Sequence, residues 1–200
     1  MNVAGRLAID GTGADPGTVT GISAQAYPES TGKAGSVSVS ARDASIVNNG
    51  IISSATFGPG DGGSVVMDVA NGLLIDGTGA NPVSLTGIAS EAVDPGSAAN
   101  VGNVSVRAGT LSLVNGGVIS STTFGRGNGG NVAVDVAGAL SIDGSLAASF
   151  TGIASQADRT STGNAGAIAV KAGSLSIADN GAISSTTRLS FQAAQIRWLF

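Results

Sequence analysis

The chain has 200 residues, a formal charge of −4, 32 glycines and 42% hydrophobic residues, with only 11% charged and 4% aromatic. It holds neither cysteine nor histidine, so disulfides, thiolate nucleophiles, Cys-ligated zinc and the usual histidine acid–base and metal chemistry are closed to it. The negative balance and scarcity of lysine argue against a nucleic-acid partner, and the aliphatic content argues against disorder.

The chain opens with "MNVAGRLAID", which reads as a strand and carries neither the basic start nor the apolar core of a signal peptide. From residue 7 the text repeats. "LAIDGTGADPGTVTGISAQA" (7–26) returns as "LLIDGTGANPVSLTGIASEA" (73–92) and as "LSIDGSLAASFTGIASQA" (140–157). Between these stand "GSVSVSARDASIVNNGIISSATFGPGDGG" (35–63), "GNVSVRAGTLSLVNGGVISSTTFGRGNGG" (102–130) and "GAIAVKAGSLSIADNGAISSTT" (166–187). The period is about 66 residues in about three copies, and insertions fall in polar stretches that read as loops.

Each copy divides into two similar halves. A half begins with glycines and then alternates, as in Val37 and Val39 or Val132, Val134 and Val136, which is the period of a strand with one buried face. A second short strand follows ("LSLVN", "LSIDG") and then a third ("GVISSTT", "TGIASQA"), with turn signals at Asn48-Asn49-Gly50, Asn115-Gly116-Gly117, Asp179-Asn180-Gly181 and the Asp-Gly pairs. Three short strands per half, no helical pattern, and turns recurring at a fixed long period predict one coil of a parallel β-helix. Coils of about 29 and about 35–38 residues alternate, giving about six coils and a rod of roughly 25–30 Å.

Four features imitate chemistry. The spacing G-x-G-x-x-G occurs at Gly125, Gly127 and Gly130 with Asp143 downstream, and at Gly58, Gly60 and Gly63 with Asp76 downstream. A dinucleotide turn must open a helix, and both clusters run instead into strand text, so they predict coil corners and no cofactor. "GDGG" resembles a calcium-binding glycine repeat, but one aspartate per copy, replaced by Asn128 where the previous copy has Asp61, predicts no metal site. Asp10, Asp76 and Asp143 would stack in alternate coils about 10 Å apart, too far for a dyad, and are expected to form turns. Ser53-Ser54, Ser120-Ser121 and Ser184-Ser185 lack an activating base and are expected to form hydroxyl ladders between coils. No catalytic, cofactor-binding or metal-binding residue is assigned.

The string G-N-x-G-x-[VI]-x-V-x-A-G-x-L-x-[LI], ending in N-G-G-x-I-S-S, has its best matches at "VGNVSVRAGTLSLVNGGVISS" (101–121) and "GNAGAIAVKAGSLSIADNGAISS" (163–185). It resembles the repeat region of filamentous haemagglutinin-like exoproteins, across residues 1 to about 187. The resemblance implies a right-handed parallel β-helix on a Gram-negative or cyanobacterial surface, either secreted or at the outer membrane. It also implies export through a partner outer-membrane pore (two-partner secretion) and a part in adhesion, haemagglutination or biofilm formation.

The chain is therefore read as β-helix over 1–187 and a non-repeat tail over 188–200, "RLSFQAAQIRWLF", which holds the one tryptophan. The tail is either a short helix over 191–200 capping the rod or an out-of-frame extension of the gene. No apolar run reaches the length of a membrane-spanning helix. The expected function is structural and adhesive, without catalysis, through loops at 27–34, 93–101 and 158–165 that meet a host or matrix glycan or protein receptor. The alternative is a polysaccharide-binding or polysaccharide-cleaving β-helix. An ice- or mineral-binding rod would need Thr-x-Thr in every coil, whereas Thr-Thr occurs at 122–123 and 186–187. Open strand edges predict end-to-end self-association.

Overall fold

The computed structural model describes residues 1–15, 18–80, 84–147, 149–158 and 161–187; the tail and its two readings lie outside them. Among the described residues there are twelve strands and no helix. Long and short strands alternate along the chain. The long ones are β1 (Asn2–Asp10), β3 (Val37–Val47), β5 (Val65–Asp76), β7 (Val104–Val114), β9 (Val132–Asp143) and β11 (Ile168–Ala178). The short ones are β2 (Thr20–Ala26), β4 (Gly50–Thr56), β6 (Thr86–Ala92), β8 (Gly117–Thr123), β10 (Thr151–Ala157) and β12 (Gly181–Thr187).

All long strands stack in chain order as one parallel sheet, and all short strands as a second. One long strand followed by one short strand completes a coil, so the fold is a parallel β-helix of six coils. Equivalent residues in successive coils lie 28 or 36–39 positions apart. The chain therefore alternates long coils (β1–β2, β5–β6, β9–β10) with short ones. At one corner a short coil turns through two residues, such as 48–49 or 115–116, whereas in the long coils β5 ends at Asp76 and β6 begins at Thr86, and β9 ends at Asp143 and β10 begins at Thr151. Asn48, Asn49, Asn115, Asp179 and Asn180 take positive φ there, a conformation that Asn and Asp tolerate best among residues with a side chain.

The three-strand reading of a coil resolves into two. The alternating run and the short strand after it are one continuous long strand, which keeps its hydrogen bonds but shifts register midway: between Ala41 and Ala44, Val69 and Gly72, and Ala108 and Leu111. At that point β3 has Arg42-Asp43, β5 has Asn71-Gly72 and β7 has Ala108-Gly109; the shift is a bulge that bends the strand, and the chain does not leave the sheet.

Inward-facing side chains form continuous columns. Val39, Met67, Val106 and Val134 occupy one register position, Ile9, Ile46, Ile75, Leu113 and Ile142 another, and Ile52, Ile88, Ile119 and Ile153 close the core from the short-strand sheet. Nearly all of these are fully buried, which is what sequence alternation on a half-buried strand delivers. A column places each aliphatic side chain on its counterpart in the next coil, so the repeat is a packing requirement. Strand-to-strand packing runs overwhelmingly between consecutive coils.

Candidate functional site

The glycine clusters come first, because they carry the motif that imitates a cofactor site. Gly58–Gly63 leads into β5 and Gly125–Gly130 into β9, so no helix N-terminus faces the glycines and the phosphate-binding geometry is missing. Their purpose is close approach between coils. A Cβ on Gly63 would overlap the carbonyl oxygen of Gly35, one on Gly102 that of Gly63, and one on Gly130 that of Gly102. The chain passes this corner with backbone lying on backbone, and only glycine fits there.

Two side-chain ladders climb the same corner. The Asn100 N–H donates to Asp61 Oδ1 at 3.0 Å, the Asn128 N–H to Asn100 Oδ1 at 3.0 Å, and the Asn164 N–H to Asn128 Oδ1 at 3.0 Å. Alongside, the Ser64 N–H donates to Ser36 Oγ, Asn103 N–H to Ser64 Oγ, Asn131 N–H to Asn103 Oδ1 and Ala167 N–H to Asn131 Oδ1. The aspartate of "GDGG" is thus the first rung of an asparagine ladder. Lys33 Nζ sits 2.9 Å from its other oxygen. That lysine first, and the Asn100 N–H second, hold the Asp61 carboxyl below the ordinary carboxylate range, and Asp61 raises Lys33 in return. Among the described residues no cluster of three acidic side chains gathers for a metal.

The remaining sequence candidates are equally occupied. Asp10 Oδ1 accepts from the Thr12 hydroxyl at 2.6 Å and the Thr12 N–H at 2.9 Å; Asp76 makes the same pair with Thr78, and Asp143 accepts from the Ser145 N–H. These are side-chain turns. The Thr12 hydroxyl, then its N–H and Asn48, lower the Asp10 carboxyl. In the first two serine pairs the second member, Ser54 or Ser121, points inward, whereas Ser185 in the last coil is exposed, and these hydroxyls do not bond to one another as a ladder. Ser121 Oγ donates to the Gly102 carbonyl at 3.1 Å and accepts from the Gly130 N–H at 2.9 Å; Ser54 does the same between Gly35 and Gly63, and Ser155 between Gly130 and Gly166. Each inward serine latches its own glycine corner to the corner of the coil before.

Loop 93–101, expected to display binding groups, is anchored at some positions and exposes Gly96, Ala98 and Asn100. Ala99 and Val101 are buried with Ala92, and Ser97 Oγ donates to the Gly58 carbonyl at 3.1 Å. One of several cavities lies on the outward face of the short-strand sheet, where β8 belongs to a short coil between two long ones. Val118, Ser120 and Thr122 of β8 form its floor, with Ala154 and Gln156 of β10 beside them. Ser84 and Leu85 before β6 and Ser149 and Phe150 before β10 rise as its walls, and Phe124 closes the far end. This trench has a volume of ≈ 300 Å³, at the small end of ligand sites.

Glu91 also lines the trench and is its one ionisable side chain among the described residues. It is half-buried, and no hydrogen bond or ion pair reaches its carboxyl from the described residues. Burial pushes that carboxyl above the ordinary glutamate value. Sequence reading passes over it because "TGIASEA" shows Glu91 as one outward polar residue on a strand. The available signal was periodic: the sister repeats carry Gln25 and Gln156 at that place.

No protein-family model matches this chain, and no curated protein or solved structure matches it.

Proposed function

We propose that this chain is a structural and adhesive segment of a secreted or surface-displayed bacterial exoprotein of the haemagglutinin-like kind, acting by contact and not by catalysis. The observation that carries the reading is the alternation of long and short coils. It brings Asp10, Asp76 and Asp143, where the longer connections set out, into one row, two coils apart. Further support comes from the recurring polar residues: the inward serines and corner asparagines spend their hydrogen bonds on holding coils together, and the turn aspartates spend theirs on their own turns. The partner is a host or matrix receptor, and export of the parent protein runs through an outer-membrane pore partner. The trench favours a polysaccharide-binding function as the second reading.

Retention of the purified chain on erythrocytes and on matrix-coated surfaces tests the adhesive reading, with incubation on uronate and neutral polysaccharides in parallel. Retention without release of reducing ends is expected. Absence of retention, or steady depolymerisation, overturns it.

A further inference from the structure

We infer that the trench over β8 binds an uncharged glycan strand, held by Phe124 and Phe150 at its two ends and by Glu91, Ser120, Thr122 and Gln156 between them. This deepens the adhesive reading and rests on it. Phe150 immediately precedes β10 and Phe124 immediately follows β8, so the two rings border opposite ends of a seven-residue floor, about 20 Å long. Aromatic faces stack on the C–H faces of sugar rings, and side-chain hydroxyls and amides between them match sugar hydroxyls.

Charge selects the class of glycan. Among the described residues no lysine or arginine lines the trench and none pairs with Glu91, so sulfate and uronate groups meet repulsion and no compensating cation from them. The half-buried Glu91 carboxyl can accept from a pair of sugar hydroxyls at once. A peptide strand fits less well. β8 is hydrogen-bonded to β6 on one side and β10 on the other, so the floor offers side chains and no free backbone edge.

The experiment is equilibrium binding of short cello-, laminari- and chito-oligosaccharides, with heparin-derived oligosaccharides as the anionic arm, to the full chain and three variants. Phe150→Ala alters a loop residue, Glu91→Gln keeps the side-chain shape, and Val66→Ser changes the outward face of the other sheet; far-UV circular dichroism verifies the fold of each. We expect at least one neutral series to bind the full chain and heparin oligosaccharides not to. Binding should weaken about tenfold in Phe150→Ala and several-fold in Glu91→Gln, and be unchanged in Val66→Ser. The inference is overturned if no neutral series binds, if the heparin series binds better, or if both trench variants bind like the parent. Cell retention of the same variants separates the two readings. Retention without neutral-glycan binding sinks the trench and leaves adhesion standing; glycan binding without retention does the reverse.

Discussion

One register position on the outward face of the short strands holds Gln25, Ala55, Glu91, Thr122, Gln156 and Thr186, and Glu91 is the one charged member. Burial holds its carboxyl above the ordinary glutamate value, so the folded chain binds this proton more tightly than the unfolded chain does. Stability therefore falls as pH rises from the ordinary glutamate range through the raised folded value, and the cost is absent below both. Glu91→Gln removes the ionisation and retains a polar side chain, as the sister coils do. It should melt higher than the parent at pH 7–8, with the difference closing as pH is lowered past about 4. Thermal unfolding across that range measures it, and an offset independent of pH would contradict the burial account.

The corner ladders set the energetics of the coil as an element. Asp61→Asn keeps an acceptor for the Asn100 N–H and reproduces what Asn100 already does for Asn128. It gives up only an ion pair whose lysine is largely exposed, so the change should stay within about 0.5 kcal/mol. Asn100→Ala removes a rung with partners on both sides and should cost about 1–2 kcal/mol, or roughly 2–8 °C in melting temperature. Equal losses in the two variants would show that the ladder does not hold the corner. Much of the coil was legible in the residues: the Val132, Val134 and Val136 alternation is buried as read, and the Asn48, Asn115 and Asp179 turns take the positive φ that their residue types tolerate. The count of strands was not legible, because Ala108-Gly109 can serve a corner or a bulge, and continuing hydrogen bonds to the neighbouring coils decide which. The trench was hidden for a related reason. Nothing local to Ser149 and Phe150 states that they stand beside the face of β8, since that follows from the coil lengths on either side.

At the scale of the whole rod, charge follows the register. Asp68, Arg107, Asp135 and Lys171 occupy one outward column on successive long strands and alternate in sign, with Lys171 Nζ 4.0 Å from Asp135. Arg107→Glu would set three carboxylates in a row. It should lower stability by about 1 kcal/mol, with most of the loss recovered near 1 M salt. Melting curves at low and high salt test this, and a salt-independent loss would assign the effect to packing.

The serine latches and ladder rungs join a coil to the one before it and the one after it. Coupling confined to nearest neighbours makes the rod behave as a one-dimensional chain of units. Unfolding then starts at a terminus and advances coil by coil, with a moving front in place of a single all-or-none collapse. Amide exchange should be slowest in β5 to β8 and quicken toward both ends, and a chain pulled from its termini should lengthen in steps of one coil.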